Sequence, residues 1–178
     1  MISIKPQFVA KILNGEKTLE IRKSMPKCEL PCKVYIYCTK SQKKLLAIFK
    51  KGDLIWSDDK DEQRFDETIF VKDDYFGVAD DRNAWLGKVV ANFTLNVVEE
   101  FEVCSDDFRW LVENTKCCLT MNEVLDYCKG QDLYGWYIDD LKIYDKPKDL
   151  SEFGLKKAPQ SWQYIKETVY VEEINNCT

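Results

Sequence analysis

The segment from Ser3 to Lys23 constrains the fold most, because two hydrophobic periods follow each other within it. Pro6 suits the first turn of a helix, since the N–H that proline lacks would have no helical partner there. Four apolar residues then recur at helical spacing: Phe8, Val9, Ile12 and Leu13. Gly15 follows where a helix commonly ends in the left-handed conformation. From Leu19 the apolar residues alternate, so the segment predicts a strand, a helix, a turn and a second strand.

The second of these strands carries three polar side chains at every other position. Thr18, Glu20 and Arg22 are expected on one face, because side chains alternate across a strand, and Lys17 comes directly before them. One interpretation is a solvated strand face that carries a cross-strand ion pair, which is the usual place of charged residues. The other is a binding site built from an ammonium, a hydroxyl, a carboxylate and a guanidinium.

The same segment resembles the signature of the ASCH family, a branch of the PUA-like superfamily. The family pattern is approximately I-x-P, a short helix and then G-x-K-T-x-E-x-R, and it stands here as Ile4, Lys5, Pro6, Gly15, Lys17, Thr18, Glu20 and Arg22. Residues 141–147 and 158–162 resemble the carboxyl-terminal part of phage and bacterial ASCH-domain proteins, with 87–90 between the two motifs. The resemblance therefore extends over most of the chain.

This resemblance implies an α+β fold, a small, mixed, partly open PUA-like β-barrel with several short helices. The predominance of predicted strands also favours a barrel over a doubly wound parallel sheet. The family cleft lies between the barrel and the first helix, and residues 159–162 are expected at its opposite rim. The candidate ligand-binding residues are Lys17, Thr18, Glu20, Arg22, Lys5, Tyr37, Ser161 and Trp162. Tyr37 and Trp162 have aromatic side chains, for which there are two interpretations. One is that they stack on a base, and the other is that they only cover the barrel.

The family resemblance leaves the chemistry of the cleft open. Family members that hydrolyse N4-acetylcytidine use a lysine, a threonine two residues before the motif's arginine, and a later glutamate. Lys17 matches the lysine, but Glu20 occupies the position of the threonine nucleophile. Neither Glu113 nor Glu123 aligns with the later glutamate. Binding is therefore favoured over a hydrolase, either a ribonuclease or an N4-acetylcytidine amidohydrolase-like enzyme, in which Lys17, Thr18 and Glu20 would be catalytic.

The distribution of charge suggests an anionic partner. Residues 1–51 carry twelve Lys and Arg against three Asp and Glu, whereas the rest of the chain has a net charge of −14. A basic face would attract RNA or a nucleotide-like ligand, although these lysines equally serve to solubilise loops and edge strands. The overall net charge of −5 argues against long, nonspecific tracking along a phosphate backbone.

An acidic insertion is predicted at about 57–85 within one domain that spans residues 1–178. Residues 57–82 hold ten acidic and four basic side chains. Solvation alone explains this acidity, but the segment also suits a lid, a nucleic-acid mimic or a surface for a protein partner. The last idea supports a third hypothesis for the whole chain, a protein-interaction module in transcriptional regulation.

Several function classes are disfavoured by composition. The chain has no histidine, which removes Ser-His-Asp and Cys-His catalysis and histidine-ligated metals. Cys28 and Cys32 have no second close-spaced pair to complete a zinc site, so no metal and no cofactor are expected. The chain begins with no apolar leader and contains no membrane-length apolar segment. We therefore expect a cytoplasmic protein with reduced thiols and no membrane partner.

The remaining periodicities predict further elements. Alternating residues predict strands at 34–38, 88–99, 134–138 and 168–171. Ser105 is expected to cap a helix through residue 114, and Thr120 with Glu123 forms a capping box for another helix. In that helix one face is predicted to be buried, and it consists of Met121, Val124, Leu125 and Cys128.

Overall fold

The structure, a computed structural model, describes residues 1–40, 47–50, 54–57, 62–64, 69–72, 85–103 and 105–166. The α-helices are α1 (Pro6–Leu13), α2 (Asp107–Asn114) and α3 (Met121–Cys128), and a 3₁₀ helix covers Leu150–Phe153. The strands are β1 (Ile2–Ile4), β2 (Leu19–Arg22), β3 (Cys32–Cys38), β4 (Ala47–Lys50), β5 (Leu54–Ser57), β6 (Glu62–Arg64), β7 (Ile69–Lys72), β8 (Val89–Leu95), β9 (Val98–Phe101), β10 (Leu133–Tyr137) and β11 (Asp139–Lys148).

Two main sheets form the framework. The first has the strand order β1-β3-β8-β11, in which β1 and β3 are parallel and the other pairs are antiparallel. The second is antiparallel, with the order β2-β10-β9. Across the described residues these sheets do not close into a barrel. The prediction of an α+β fold with a partly open barrel is confirmed.

The chain crosses between the two sheets at two neighbouring points. β8 belongs to the first sheet and β9 to the second, and β10 and β11 are divided in the same way. The prediction of one long strand over 88–99 is therefore wrong, because pairing ends at Leu95 and resumes at Val98 in the other sheet. Val97 lies in this crossing with 52% of its surface exposed.

The first segment folds as its sequence predicts. Pro6 occupies the first turn of α1, and the backbone N–H of Asn14 donates to the carbonyl of Ala10 at the other end. Gly15 follows with φ +73°, a conformation that L-residues with a Cβ adopt at a cost. α1 thus carries the chain from β1 in one sheet to β2 in the other, and the cleft described below lies beside this connection.

Two apolar cores lie on the two sheets. The first packs α1 against the first sheet and includes Ile2, Val9, Ile36 and Phe93. The second packs α2 and α3 against β2, β9 and β10, and includes Leu19, Ile21, Leu111, Val124 and Leu133. Both apolar residues of β2 therefore belong to the second core, which holds this strand in a fixed position relative to α3.

Helix α3 confirms its predicted start and corrects its predicted face. The side chain of Thr120 accepts from the backbone N–H of Glu123, and the Glu123 carboxylate accepts from the backbone N–H of Thr120. Val124 and Cys128 are buried, but Leu125 is 50% exposed. The prediction of Leu125 as a core residue is wrong, because the helix packs on a stripe too narrow to include it.

Two antiparallel strand pairs overlap the segment that is predicted to be an acidic insertion. β4 pairs with β7, and β5 pairs with β6, so the paired strands begin at Ala47, before the predicted insertion. Most of the predicted insertion at about 57–85 and the predicted strand at 168–171 lie outside the described residues. Among the described residues, no helix combines the length and the apolar character needed to cross a membrane.

Candidate ligand-binding cleft

A cleft of about 670 Å³ opens between β1, α1, β2 and α3. The side chains of Lys17, Glu20 and Arg22 form its floor. Lys5 and Phe8 line the side near α1, and Gln160 and Ser161 line the side near β1. The three floor residues are polar but buried, with exposed fractions of 2%, 8% and 8%.

The floor is an ion-pair network centred on one carboxylate. The Nζ atom of Lys17 lies 3.3 Å from Oε2 of Glu20, and Nη2 of Arg22 lies 3.0 Å from Oε1 of the same side chain. Each carboxylate oxygen therefore faces one cation. Since two cations share one carboxylate, the buried network has a formal charge of +1.

The ammonium of Lys17 is fully engaged with the protein. It donates to the backbone carbonyls of Leu19, at 2.7 Å, and of Cys117, at 2.6 Å, besides pairing with Glu20. It also lies 5.5 Å from the centre of the Phe8 ring, where a cation is attracted to the aromatic face. An ammonium has three N–H donors, so these three oxygens account for its donor capacity.

The guanidinium of Arg22 joins three parts of the chain. Nη2 donates to the carbonyl of Ser3 at 2.8 Å, and Nη1 lies 3.4 Å from Oγ of Ser161. The guanidinium also acts on Tyr127 of α3, since its positive charge lowers the pKa of that hydroxyl against the larger effect of burial. Its buried Nε has no hydrogen-bond partner among the described residues. Arg22 thus has a buried N–H beneath the cleft that makes no hydrogen bond to the described residues. Burying such a donor costs folding free energy.

Ser161 reaches Arg22 because its segment pairs with the edge of β1. The backbone N–H of Ser3 donates to the carbonyl of Ser161 at 2.8 Å, and Oγ of Ser3 donates to the carbonyl of Pro159 at 2.7 Å. Ile2 forms an antiparallel bridge with Trp162. The two ends of the described chain therefore build one rim of the cleft together.

Helix α3 supplies the opposite wall with Glu123, Asp126 and Tyr127. Burial raises the pKa of Tyr127, and the Glu20 carboxylate raises it further, while the charge and the hydrogen bond of Arg22 act in the other direction. Hydrogen bonds from the backbone and the hydroxyl of Thr120 lower the pKa of Glu123. The wall is therefore acidic at its solvent-facing side, with a phenol next to the basic floor.

The eight predicted site residues divide into two groups. Five of them line the cleft: Lys5, Lys17, Glu20, Arg22 and Ser161. The other three, Thr18, Tyr37 and Trp162, do not line it. Tyr37 is 5% exposed and packs with Met1 and Val89 in a small separate core. Trp162 lies against Trp136, with ring centres 5.5 Å apart.

The wall residues of α3 were not among the predicted site residues. The sequence did hold a signal for them, because positions 123, 126 and 127 follow the i, i+3, i+4 spacing of one helical face. That face carries two carboxylates and a tyrosine next to the buried apolar face. Ser3 had no such signal, since its contact with the site depends on the pairing of β1 with residues 159–161.

The architecture around this cleft matches solved structures. ASCH from Zymomonas mobilis aligns with a TM-score of 0.57 and 18% identity, over 93% of this chain and 86% of that chain. A Tyr-to-Phe mutant and a Ser-to-Ala mutant of the same protein align at the same TM-score and 17% identity, over 88% and 87% of those chains. The chain has an ASCH-type fold. No protein-family model and no curated protein matches its sequence.

The cleft offers hydrogen-bond and charge contacts to a ligand. Within the part of the chain that the structure describes, no group of three His, Cys, Asp or Glu side chains is placed to hold a metal ion. What the cleft presents is a cationic floor, an aromatic ring and an acidic rim. These groups suit a ligand that has both an anionic or acceptor part and a planar part with donors.

Proposed function

We propose that this protein binds RNA or a nucleotide-like ligand in the cleft above Lys17, Glu20 and Arg22. The observation that carries the proposal is the buried floor, in which two cations share one carboxylate. A net positive charge in a water-poor site attracts an anion more strongly than the same charge on the surface. In this proposal the 178 residues act as one cytoplasmic domain.

The size and lining of the cleft support a nucleotide. A volume of about 670 Å³ lies in the range usual for small-molecule sites. The guanidinium of Arg22 brings a permanent positive charge to the floor, which attracts a phosphate, and its Nε–H is left without a partner among the described residues. Tyr127 provides a ring at the wall, and Lys23 lies 5.3 Å from the centre of that ring. Lys5 stands exposed at the opening, where it can meet a phosphate.

The geometry supports binding better than hydrolysis. Lys17 is held by two carbonyls and by Glu20, so it would have to break these contacts to act as a base or a nucleophile. Glu20 is likewise paired on both oxygens. Thr18, the hydroxyl that a hydrolase would need, does not line the cleft.

The proposal is tested by titrating a fluorescently labelled single-stranded RNA of mixed sequence, with the four nucleoside monophosphates as competitors. Lys5→Gln removes the exposed cation without touching the buried network. We expect it to weaken RNA binding about fivefold on all sequences, and to reduce the slope of log K against log salt by about 0.7. Lys142→Gln is the matched control, because Lys142 is an exposed lysine on β11 that does not line the cleft.

The outcomes separate binding in the cleft from hydrolysis. If RNA and nucleotides do not bind, or if both lysine variants weaken binding equally, the proposed cleft is wrong. The same incubations are examined for products by mass spectrometry. A product that disappears in Lys17→Gln would favour the hydrolase instead, since an engaged lysine in a binding module has no part in turnover.

A further inference from the structure

Trp162 lines a second, smaller cavity of about 290 Å³. Its lining includes Cys28 and Cys32, together with Tyr35, Trp136 and Tyr164. The ligand-binding cleft has no part in this cavity, because none of these residues lines both. The proposed binding of RNA or a nucleotide therefore does not involve these two thiols.

Cys28 and Cys32 differ from the other described cysteines because both line this cavity. Cys28 is exposed, Cys32 is partly buried, and both are free thiols. They also influence each other, since the neighbouring Cys28 contributes to raising the pKa of Cys32. Cys38, Cys117 and Cys128 are buried, and the thiol of Cys118 donates to the carbonyl of Glu16.

The loop that carries Cys28 is held in place at several points. The indole N–H of Trp136 donates to the carbonyl of Ser24 at 3.3 Å, and that of Trp162 donates to Oγ of Ser24 at 3.0 Å. The backbone N–H of Lys27 donates to the hydroxyl of Tyr164 at 2.6 Å. Because the loop is anchored just before Cys28 and β3 begins at Cys32, the two thiols remain near each other.

We propose that Cys28 and Cys32 form a site of reversible thiol–disulfide exchange that reacts with a small-molecule disulfide of the glutathione class. The anchored loop holds the two thiols together, and this raises the rate of ring closure over reaction with a second reagent molecule. The bridge would close a loop of only three intervening residues at the edge of the small cavity. The proposal is independent of the ligand in the larger cleft.

The exchange has two steps. The thiolate of Cys28, which is the exposed partner, attacks one sulfur of the reagent; the reagent S–S bond breaks and one thiolate leaves and takes up a proton. Cys32 then loses its proton to solvent and attacks Sγ of Cys28, which releases the second small thiol. Two protein thiols are oxidised to one disulfide, and the reagent disulfide is reduced to two thiols.

The order of the steps follows from exposure and acidity. Burial, together with the neighbouring thiol of Cys28, raises the pKa of Cys32 to about 11. Cys32 therefore carries little thiolate near neutral pH and is a poor first nucleophile. It reacts second, when the disulfide at Cys28 is already next to it.

The test uses the folded full chain with oxidised glutathione, followed by an acid quench, alkylation and trypsin. Both cysteines fall in one tryptic peptide, residues 28–33, because Lys27 and Lys33 flank them. We expect this peptide to escape alkylation and to become about 2 Da lighter than its reduced form, through loss of two hydrogens. The thiols of this peptide should be oxidised at least about tenfold faster than those of the peptide that contains Cys118.

Two variants test the roles of the thiols. Cys32→Ser should leave a stable mixed disulfide with glutathione on Cys28. In Cys28→Ser, glutathione should modify Cys32 about tenfold more slowly than it modifies Cys28 in Cys32→Ser. Cys118→Ser is the matched control and should leave the bridge unchanged. If the wild-type peptide keeps two alkyl groups, or accumulates mixed disulfides without a bridge, the proposal is wrong, whatever the variants do.

Discussion

The floor and the α3 wall of the cleft both contain a glutamate, and the two side chains do different work. Glu20 is 8% exposed and lies between the cations of Lys17 and Arg22. Glu123 is exposed and accepts from the backbone and the hydroxyl of Thr120. A buried carboxylate must be paired because desolvation is costly, whereas an exposed one needs no partner. The comparison shows that burial, more than residue type, decides which charges hold this site together.

The largest expected effect comes from removing the buried carboxylate. Glu20→Gln leaves the cations of Lys17 and Arg22 buried without an anion, and we expect unfolding free energy to fall by about 3 kcal/mol in urea titrations. Glu123→Gln is the matched control, since glutamine also forms a capping box, and it should change stability by less than about 0.5 kcal/mol. Equal losses in both variants would contradict the contrast between floor and wall.

A smaller effect is expected when the guanidinium is replaced but its charge is kept. Arg22→Lys still offers a cation to Glu20, but an ammonium cannot span the carbonyl of Ser3 and the hydroxyl of Ser161 as the planar fork does. We expect a loss of about 1–2 kcal/mol in stability, and RNA affinity about tenfold weaker. Wild-type affinity in this variant would show that charge alone, without the fork geometry, accounts for binding.

The smallest expected effect tests the wall. Thr120→Ala removes the cap of α3, which should cost about 1 kcal/mol. The hydrogen bonds of Thr120 lower the pKa of Glu123 below 4.5, so the folded state gains stability above that pH and loses it as pH falls through the lowered pKa. Thr120→Ala removes the hydroxyl hydrogen bond but keeps the backbone one, so the variant should lose slightly less stability than wild type on acidification below pH 4.5. The measurement is the unfolding free energy from urea denaturation at several pH values. If it falls equally with pH in the variant and in wild type, the hydroxyl of Thr120 does not lower the pKa of Glu123.

Local patterns in the sequence predicted the elements whose signals are themselves local. Pro6, the apolar spacing of α1 and Gly15 were enough to place the strand–helix–turn–strand segment. Thr120 and Glu123 likewise placed the start of α3, because a capping box depends on residues three apart. The same kind of signal did not reveal that Leu125 is exposed, since the width of the buried stripe depends on what packs against it.

Long-range pairing decided the features that the sequence did not show. The alternation from Lys88 to Glu99 is continuous, yet the chain changes sheets between Leu95 and Val98. Tyr37 alternates away from the first core, yet Met1 and Val89 cover it. In both cases a period-two pattern shows that a residue lies on one face of a strand, but not which layer lies against that face.

The sequence by itself determined the three charged residues of the cleft floor. Lys17, Glu20 and Arg22 were identifiable from their spacing and from the resemblance to ASCH proteins. Only the tertiary structure decided that these three side chains are buried, that Ser3 and Ser161 hold the guanidinium, and that α3 provides the facing wall. The physical reason is that a strand pattern specifies which side chains share a face, whereas desolvation and hydrogen-bond partners come from segments far away in the chain.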